Sequence, residues 1–187
     1  AHHINEVFYG NISQFLAHGK QVFGDIRELL DWHFQRLSEH EQEIMYWLAI
    51  NTEAVTLSEL TADILSDDAK KQVTLTLQSL KTRIPLEISV IDKKPSFGLQ
   101  PVLVEYMTNK LIENIYEEIK TSKISLLNKY ALLKASAKSY ERETQIRLII
   151  KPLVQKLTNE FDNQDNLIIQ LNKILSKSKK EFYLKPG

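Results

Sequence analysis

A change of hydrophobic pattern near residue 100 constrains the fold more than any other feature of the sequence. Residues 97–107 read FGLQPVLVEYM and join a short β-like segment to a long helical pattern. The first helical residue is predicted to be Pro101, because the N–H that proline lacks would have no partner at that position. The sequence therefore predicts a helical protein with one β-hairpin directly before this helix.

Helical patterns dominate the sequence before the hairpin. One helix is predicted from Gly24 through Leu37, and a second begins at a capping-box pattern, Ser38 to Glu41. Each carries one apolar stripe at helical spacing. The predicted stripe residues are Ile26, Leu29, Leu30, His33, Phe34 and Leu37 in the first helix, and Ile44, Met45, Trp47, Leu48 and Ile50 in the second.

Two further helices are predicted between residues 56 and 82. Thr56 with Glu59 makes a second capping-box pattern, which starts a short helix. The next helix runs from about Ser66 to Thr82, and its helical spacing outweighs the weak helix propensity of its Val and Thr residues. Its predicted buried residues are Val73, Leu75, Leu77 and Leu80.

A β-hairpin follows the break at Ile84-Pro85. Residues 86–91 alternate apolar with polar over most of their length, as a half-buried strand does. Residues 92–96 are predicted to form the turn, and residues 97–100 the second strand. Three helices followed by a hairpin is the order of a winged-helix domain.

The C-terminal half is predicted to be helical. The helix from Pro101 to about Thr121 carries a stripe of Val104, Met107, Leu111, Ile115 and Ile119. A second helical segment covers residues 126–161, with a kink near Lys151 because Pro152 cannot continue the hydrogen-bond ladder. Its inward residues are predicted to be Ile146, Ile149, Leu153, Leu157 and Phe161. A last helix spans residues 166–178.

The predicted fold class is mainly α, a winged-helix domain followed by a C-terminal helical bundle or arm. Residues 1–36 are assigned to trailing helices of an upstream helical subdomain, and residues 37–122 to the winged-helix domain. Residues 123–181 form a helical connector, and residues 182–187 begin a linker.

Composition excludes several classes of function. The 24 basic and 24 acidic residues cancel, which argues against a dedicated DNA-binding protein, and no cysteine is present to form a disulfide or a thiolate metal site. No apolar run is long enough to span a bilayer, so no membrane partner is expected. The chain is predicted to be cytoplasmic. The histidines show no metal-ligand spacing, and His2 and His3 are assigned no function.

Several blocks of sequence resemble one family of proteins. They are residues 23–30 (FGDIRELL), residues 37–38, residues 45–51 (MYWLAIN), residues 97–106 and residues 137–149 (AKSYERETQIRLI). These resemble the region after the NB-ARC domain in large bacterial signalling ATPases of the STAND class, which often end in WD or pentapeptide repeats.

The resemblance implies a non-catalytic regulatory module that couples nucleotide state to sensor or effector domains. Its partners would be the nucleotide-binding and repeat domains of the same protein, with ATP or ADP bound upstream and no cofactor in this chain. Related proteins carry a Met-His-Asp motif where the wing ends, and Leu99, Gln100 and Pro101 stand at those positions. Gln100 is thus either a sensor of nucleotide state or a cap of the helix that begins at Pro101.

Two other functions are consistent with the residues. A winged helix that binds DNA would use Lys70, Lys71, Lys81 and Arg83 on its third helix. A scaffold would self-associate through the long C-terminal helices. A partial basic stripe, formed by Lys134, Lys138, Arg142 and Arg147, is explained by ion pairing on a helix surface. No motif predicts an enzyme.

Overall fold

The computed structural model describes residues 26–134, 137–161 and 164–183. The chain divides into two units, residues 1–38 and residues 39–187. In the first unit, helix α1 covers residues 26–35. The predicted buried stripe on this helix is wrong at Ile26 and Leu29, whose side chains are exposed, whereas Phe34 and Leu37 are buried. The rest of the predicted segment 1–36, with His2 and His3, lies outside the described residues.

Helix α2, Glu39–Asn51, forms the centre of the second unit. It contacts α4 (Asp67–Arg83), α5 (Pro101–Thr121) and the sheet. All five residues of its predicted apolar stripe are buried. Two acidic residues of the same helix, Glu41 and Glu43, are buried as well, so α2 is enclosed on more than one side.

The two predicted helices that follow begin at side-chain caps. Helix α3, Leu57–Asp63, has the predicted capping box: the Glu59 N–H donates to Thr56 Oγ1 at 3.3 Å, and the Thr56 N–H donates to a Glu59 carboxylate oxygen at 2.8 Å. Helix α4 begins at Asp67, directly after its N-cap Ser66, whose hydroxyl accepts from the Ala69 N–H.

Helix α4 buries Val73, Leu77 and Leu80 as predicted, but the prediction for Leu75 is wrong, since it is 68% exposed. Positions 73, 77 and 80 repeat every helical turn, whereas position 75 lies about 200° around the helix from Val73. Thr76 takes the inward position and donates its hydroxyl to the Gln72 carbonyl at 2.9 Å.

A three-stranded antiparallel sheet lies beside the helices. Its strands are β1 (Val55–Thr56), β2 (Leu86–Ile91) and β3 (Lys94–Leu99), in the order β1-β3-β2. The two-residue strand β1 was not predicted from the sequence. It pairs Val55 with Phe97 and Thr56 with Ser96.

The hairpin turn is shorter than the predicted residues 92–96. Asp92 and Lys93 alone form it, with φ of 49° and 63°, the left-handed values that fit a two-residue turn to twisted strands. Strand β3 therefore starts at Lys94 and includes Pro95, which is paired with Val90. The prediction that β2 is half-buried is also wrong, because every residue after Leu86 is exposed.

Helix α5 begins at Pro101 and ends at Thr121, both as predicted. Met107, Leu111, Ile115 and Ile119 are buried, and Val104 is half-buried. After Thr121 the chain leaves the helix through Ser122, which adopts the left-handed conformation with φ of 56°.

The predicted single helical segment over residues 126–161 is wrong. The structure has a four-residue helix α6 (Leu126–Lys129), non-helical residues 130–134 and 137–138, helix α7 (Ser139–Gln145), a π-helical turn (Ile146–Ile150) and helix α8 (Lys151–Glu160). Ile149, Leu153 and Leu157 are buried as predicted, while Ile146 and Phe161 are half-buried. The π-helical turn ends two residues before Pro152. The kink near Lys151 stays a prediction.

Helix α9, Gln164–Tyr183, is longer than the predicted residues 166–178. Phe182 and Tyr183 are helical, so the predicted linker does not begin at residue 182, and residues 184–187 lie outside the described part. The predicted mainly helical class is confirmed. Among the described residues, no helix is both long and apolar enough to cross a lipid bilayer.

Candidate functional site

The segment from Lys123 to Lys134, here called the strap, runs from the end of α5 across α2 towards α3. It starts at a carboxylate of α5: Glu118 accepts the N–H groups of Leu126 at 2.7 Å and Leu127 at 3.2 Å. These are the first N–H groups of α6, which have no partner within the helix. Glu118 therefore satisfies them and fixes the direction in which the strap leaves α5.

The middle of the strap packs on an aromatic pair of α2. The Tyr130 ring lies 5.2 Å from the Tyr46 ring and 5.2 Å from the Trp47 ring, centre to centre, and Tyr130 is buried. Burial raises the pKa of the Tyr130 phenol, and the nearby Glu43 carboxylate raises it further. Beside this cluster the Lys129 ammonium group lies 3.1 Å from the buried Glu43 carboxylate.

The strap ends in a buried ionic cluster, here called the latch, formed by Lys134, Asp63 and Asn51. The Lys134 ammonium group lies 2.7 Å and 2.8 Å from the two Asp63 carboxylate oxygens and donates to Asn51 Oδ1 at 2.8 Å. The Asn51 amide completes the triangle by donating to Asp63 Oδ2 at 2.9 Å. The Lys134 and Asp63 side chains are only 16% and 10% exposed.

A second polar contact fastens α7 to the same place. Gln145 is 1% exposed, and its amide oxygen accepts the Lys134 N–H at 3.1 Å. Its amide nitrogen donates to the Ile50 carbonyl at 3.1 Å, one of the last α2 carbonyls, which have no helical partner. Gln145 thus joins the end of the strap, α7 and the C-terminus of α2.

A polar cleft of about 560 Å³ opens beside the latch. Carboxylates and ammonium groups both line it, among them Glu53, Glu59, Lys94 and Lys138. The N–H and hydroxyl of Thr56 lower the pKa of the Glu59 carboxyl by hydrogen bonding to its charged form. Because both signs of charge are present, the cleft has no electrostatic preference for a phosphate.

Gln100 lies between β3 and α5 and is not part of the latch. It is the N-cap residue of α5, and its carbonyl accepts the N–H groups of Leu103 at 2.8 Å and Val104 at 3.0 Å. Its side chain is exposed and makes no capping hydrogen bond. The cap interpretation of the Gln100 amide is therefore wrong, while the sensor interpretation stays a prediction. Leu99 is buried and Pro101 is exposed.

The four candidate DNA-binding cations on α4 differ in their surroundings. Lys70 forms an ion pair with Asp67 at 3.3 Å. Arg83 lies 3.6 Å from the buried Glu41 carboxylate, which also accepts the Ser79 hydroxyl at 2.9 Å. Lys71 and Lys81 are exposed. Two of the four cations thus take part in ion pairs within the protein.

The predicted basic stripe does not exist as one helix surface. Lys134 lies in the non-helical end of the strap and points into the latch, whereas Arg142 is in α7 and Arg147 in the π-helical turn. Sequence reasoning also missed the latch itself. Its partners are 71 and 83 residues from Lys134, and no short-range pattern connects residues so far apart.

A stretch of one known protein resembles this chain. An uncharacterized WD repeat-containing protein of Nostoc sp. is 39% identical to it over 211 aligned residues. The alignment covers 93% of this chain but 16% of the relative, so the chain spans about a sixth of that protein's length. No protein-family model and no solved structure matches the chain.

Proposed function

We propose that this chain is a non-catalytic regulatory module of a STAND-type signalling ATPase. In this proposal, residues 37–122 form a winged-helix domain that rests on an upstream NB-ARC nucleotide domain. Residues 123–181 form the connector to downstream WD or other repeats. The module transmits the nucleotide state of the NB-ARC domain to the repeats, because its two parts are packed together and move as one body. ATP or ADP binds in the upstream domain.

The latch is the observation that carries this proposal. Lys134 of the connector is held by Asp63 and Asn51 of the winged-helix part through contacts of 2.7–2.9 Å in a mostly buried site. A flexible linker between domains has few such contacts. With the latch closed, a rotation of the winged-helix part moves the connector as one body, as rigid-body switching requires.

The order of elements supports the winged-helix part of the proposal. Helices α2, α3 and α4 precede the β2–β3 hairpin, and β1, between α2 and α3, pairs with β3. The hairpin is then followed directly by Gln100 and α5. The exposed position of Gln100 suits a residue whose partner belongs to another domain. Burying its side-chain amide without a partner would cost about 1–3 kcal/mol.

The last helix provides a surface for the output of the module. Gln170 of α9 donates to the Ser122 hydroxyl at 2.9 Å, at the end of α5. Ile174 is buried, whereas Ile168, Ile169 and Leu175 are 53%, 65% and 58% exposed. Exposed apolar side chains on one helix are typical of a surface that another domain covers. The WD repeats of the Nostoc relative support repeats as that domain.

A coupling experiment in the longer protein tests the proposal. The rate of ADP release is measured with and without the downstream repeats, in the wild type and in Lys134→Met. We expect deletion of the repeats to change ADP release in the wild type and to have at least fivefold less effect in Lys134→Met. Lys70→Met, which removes an exposed ion pair, serves as the matched control and should behave as wild type.

Two results would contradict the proposal. If Lys134→Met is folded and the repeats change its ADP release by the wild-type factor, the latch does not transmit the nucleotide state. If the longer protein binds neither ATP nor ADP, the assignment to a signalling ATPase is wrong. DNA binding is the weaker alternative, since Lys70 and Arg83 already form ion pairs with Asp67 and Glu41.

A further inference from the structure

Strand β2 forms an exposed edge of the sheet. It pairs with β3 on one side only, and Ile88, Val90 and Ile91 are 47%, 73% and 41% exposed. Edge strands are usually protected by a lysine, a proline, a bulge or a covering segment. Residues 86–91 read LEISVI and contain neither lysine nor proline, and all six are paired with β3 without a bulge.

The register shows which backbone groups of β2 face outward. The two-residue turn makes Ile91 and Lys94 a hydrogen-bonded pair, and such pairs alternate along an antiparallel ladder. Ser89 with Ser96 and Glu87 with Gly98 are then also hydrogen-bonded pairs. The N–H and C=O groups of Ile88 and Val90 therefore point away from β3, and within the described part of the chain they have no hydrogen-bond partner.

The face of the sheet next to this edge is apolar. Side chains of paired residues lie on the same face, which places Ile88 and Val90 beside Phe97 and Pro95. Phe97, Pro95 and Leu57 of α3 line a groove of about 720 Å³. A strand added to β2 with apolar residues on this face would thus extend an existing apolar surface.

We propose that the strand added is β2 of a second copy of this chain, paired antiparallel about a two-fold axis at Ser89. Ile88 then lies opposite Val90 of the partner subunit, and Glu87 lies opposite Ile91 of the partner subunit. The two outward residues, Ile88 and Val90, make four backbone hydrogen bonds across the axis. The two three-stranded sheets become one sheet of six strands. This inference is independent of the proposed function.

Charge disfavours one alternative register and suits this one. An axis at Glu87 would place two carboxylates directly opposite each other, which is destabilising. With the axis at Ser89, Glu87 instead lies on the same face as Lys94 of the partner subunit, two strand spacings or about 10 Å away. Lys94 has no ion pair within the described residues, so it is available to the opposite charge.

The interface is small, so the dimer is weak. A single strand pair buries less than the roughly 1,200–2,000 Å² of total surface typical of stable complexes. Sedimentation of the full 187-residue chain at increasing concentration should therefore show a mass that rises from 21.7 kDa towards twice that value. Val90→Lys should weaken dimerisation at least tenfold. Leu75→Lys, at a residue of α4 that is 68% exposed, should leave it unchanged.

Cross-linking tests the register directly. The chain has no cysteine, and Ser89→Cys would place the two thiols opposite each other at a non-hydrogen-bonded pair, with Cα atoms about 4.5 Å apart. Oxidation should give a disulfide-linked dimer. Glu87→Cys should not cross-link, because the two positions would be four residues, or about 13 Å, apart along the strands.

Three results would overturn the inference. A chain that stays monomeric at every concentration has no such interface. Equal cross-linking of Ser89→Cys and Glu87→Cys would show random collision instead of one register. Equal loss of dimerisation in Val90→Lys and Leu75→Lys would show that general hydrophobic association, and not the β2 edge, brings the copies together.

Discussion

Lys134 shows how one side chain can position a long segment. Its ammonium group is removed from most of its water, which is unfavourable unless an opposite charge and hydrogen bonds compensate. Asp63 supplies the charge, and Asn51 supplies an acceptor oxygen. These contacts hold the end of the strap against residues of α2 and α3, so the latch fixes a position as well as adding stability.

Replacing Lys134 with methionine should destabilise the chain. The change keeps most of the apolar stem but leaves the Asp63 carboxylate without its cation, and breaking a buried pair in this way costs roughly 3–5 kcal/mol. Since both side chains are slightly exposed, we expect about 3 kcal/mol from urea unfolding. Lys70→Met, at an exposed pair, should cost less than about 1 kcal/mol. Equal losses would mean that the latch is no stronger than a surface ion pair.

Replacing Gln100 with alanine should leave the stability of the chain within about 0.5 kcal/mol of the wild type, as for an ordinary surface substitution. The reason is that its exposed side chain makes no capping bond at the start of α5. In the longer protein the same variant should change the rate of nucleotide exchange. If the variant destabilises the chain by about 1 kcal/mol and leaves exchange unchanged, the sensor interpretation is wrong.

Among the elements, β1 and α3 are joined by one residue, Thr56, which has a role in each. Thr56 is the last residue of β1, where it pairs with Ser96, and it is also the N-cap of α3. The same residue thus fixes the sheet and the start of the helix that supplies Asp63 to the latch.

Loss of the Thr56 hydroxyl should therefore weaken α3. Thr56→Ala removes the acceptor of the Glu59 N–H and should lower the free energy of unfolding by about 1 kcal/mol, within the range of 0.5–2 kcal/mol for such caps. Thr61→Ala is the matched control, because the Thr61 hydroxyl donates only to the Leu57 carbonyl of its own helix. Chemical denaturation of the two variants should separate them clearly.

For the whole molecule, burial of Tyr130 predicts that the free energy of unfolding falls at alkaline pH. The folded-state pKa of its phenol lies above the ordinary value of about 10, mainly because of burial. Its contribution to stability is therefore fully present below pH 10 and is lost as the pH rises further, because the unfolded chain releases the proton first. Above pH 10 the loss approaches about 1.4 kcal/mol per pH unit for this group.

Urea unfolding at pH 9, 10 and 11 checks this prediction. The free energy of unfolding of the wild type should fall more steeply with pH than that of Tyr130→Phe, which has no phenol to ionise at this position. Other residues titrate in both proteins, so the difference between the two slopes isolates Tyr130. Parallel slopes would contradict a raised pKa for its phenol.

The chain by itself should bind ATP and ADP no more tightly than about 1 mM, or ~4 kcal/mol of binding free energy. No Gly-x-x-x-x-Gly-Lys-Ser/Thr sequence is present to provide the backbone N–H groups and the lysine that hold phosphates. Isothermal titration measures this directly. Micromolar binding would show that the chain contains a nucleotide site, and the proposed division between this module and an upstream domain would then be wrong.

The sequence by itself determined the elements whose causes are local. The capping box of Thr56 and Glu59, the start of α5 at Pro101 and the buried stripe from Met107 to Ile119 follow from hydrogen bonds and spacings within a few residues. The hairpin was predicted for the same reason. The predicted turn, residues 92–96, was too long. The composition of these five residues is typical of turns, but two residues with positive φ, Asp92 and Lys93, are enough to form it.

Only the tertiary structure decided where the strap lies and which residues form the latch. The composition of residues 126–134 permits a helix. Instead α6 ends at Lys129, and Tyr130 packs on the aromatic pair of α2 while Lys134 pairs with the Asp63 carboxylate. These contacts stabilise the chain more than further turns of α6 would. Likewise, the exposure of β2 depends on what covers the sheet, which its alternating sequence does not specify. Local propensity is weak, and contacts between residues 71 to 95 positions apart outweigh it.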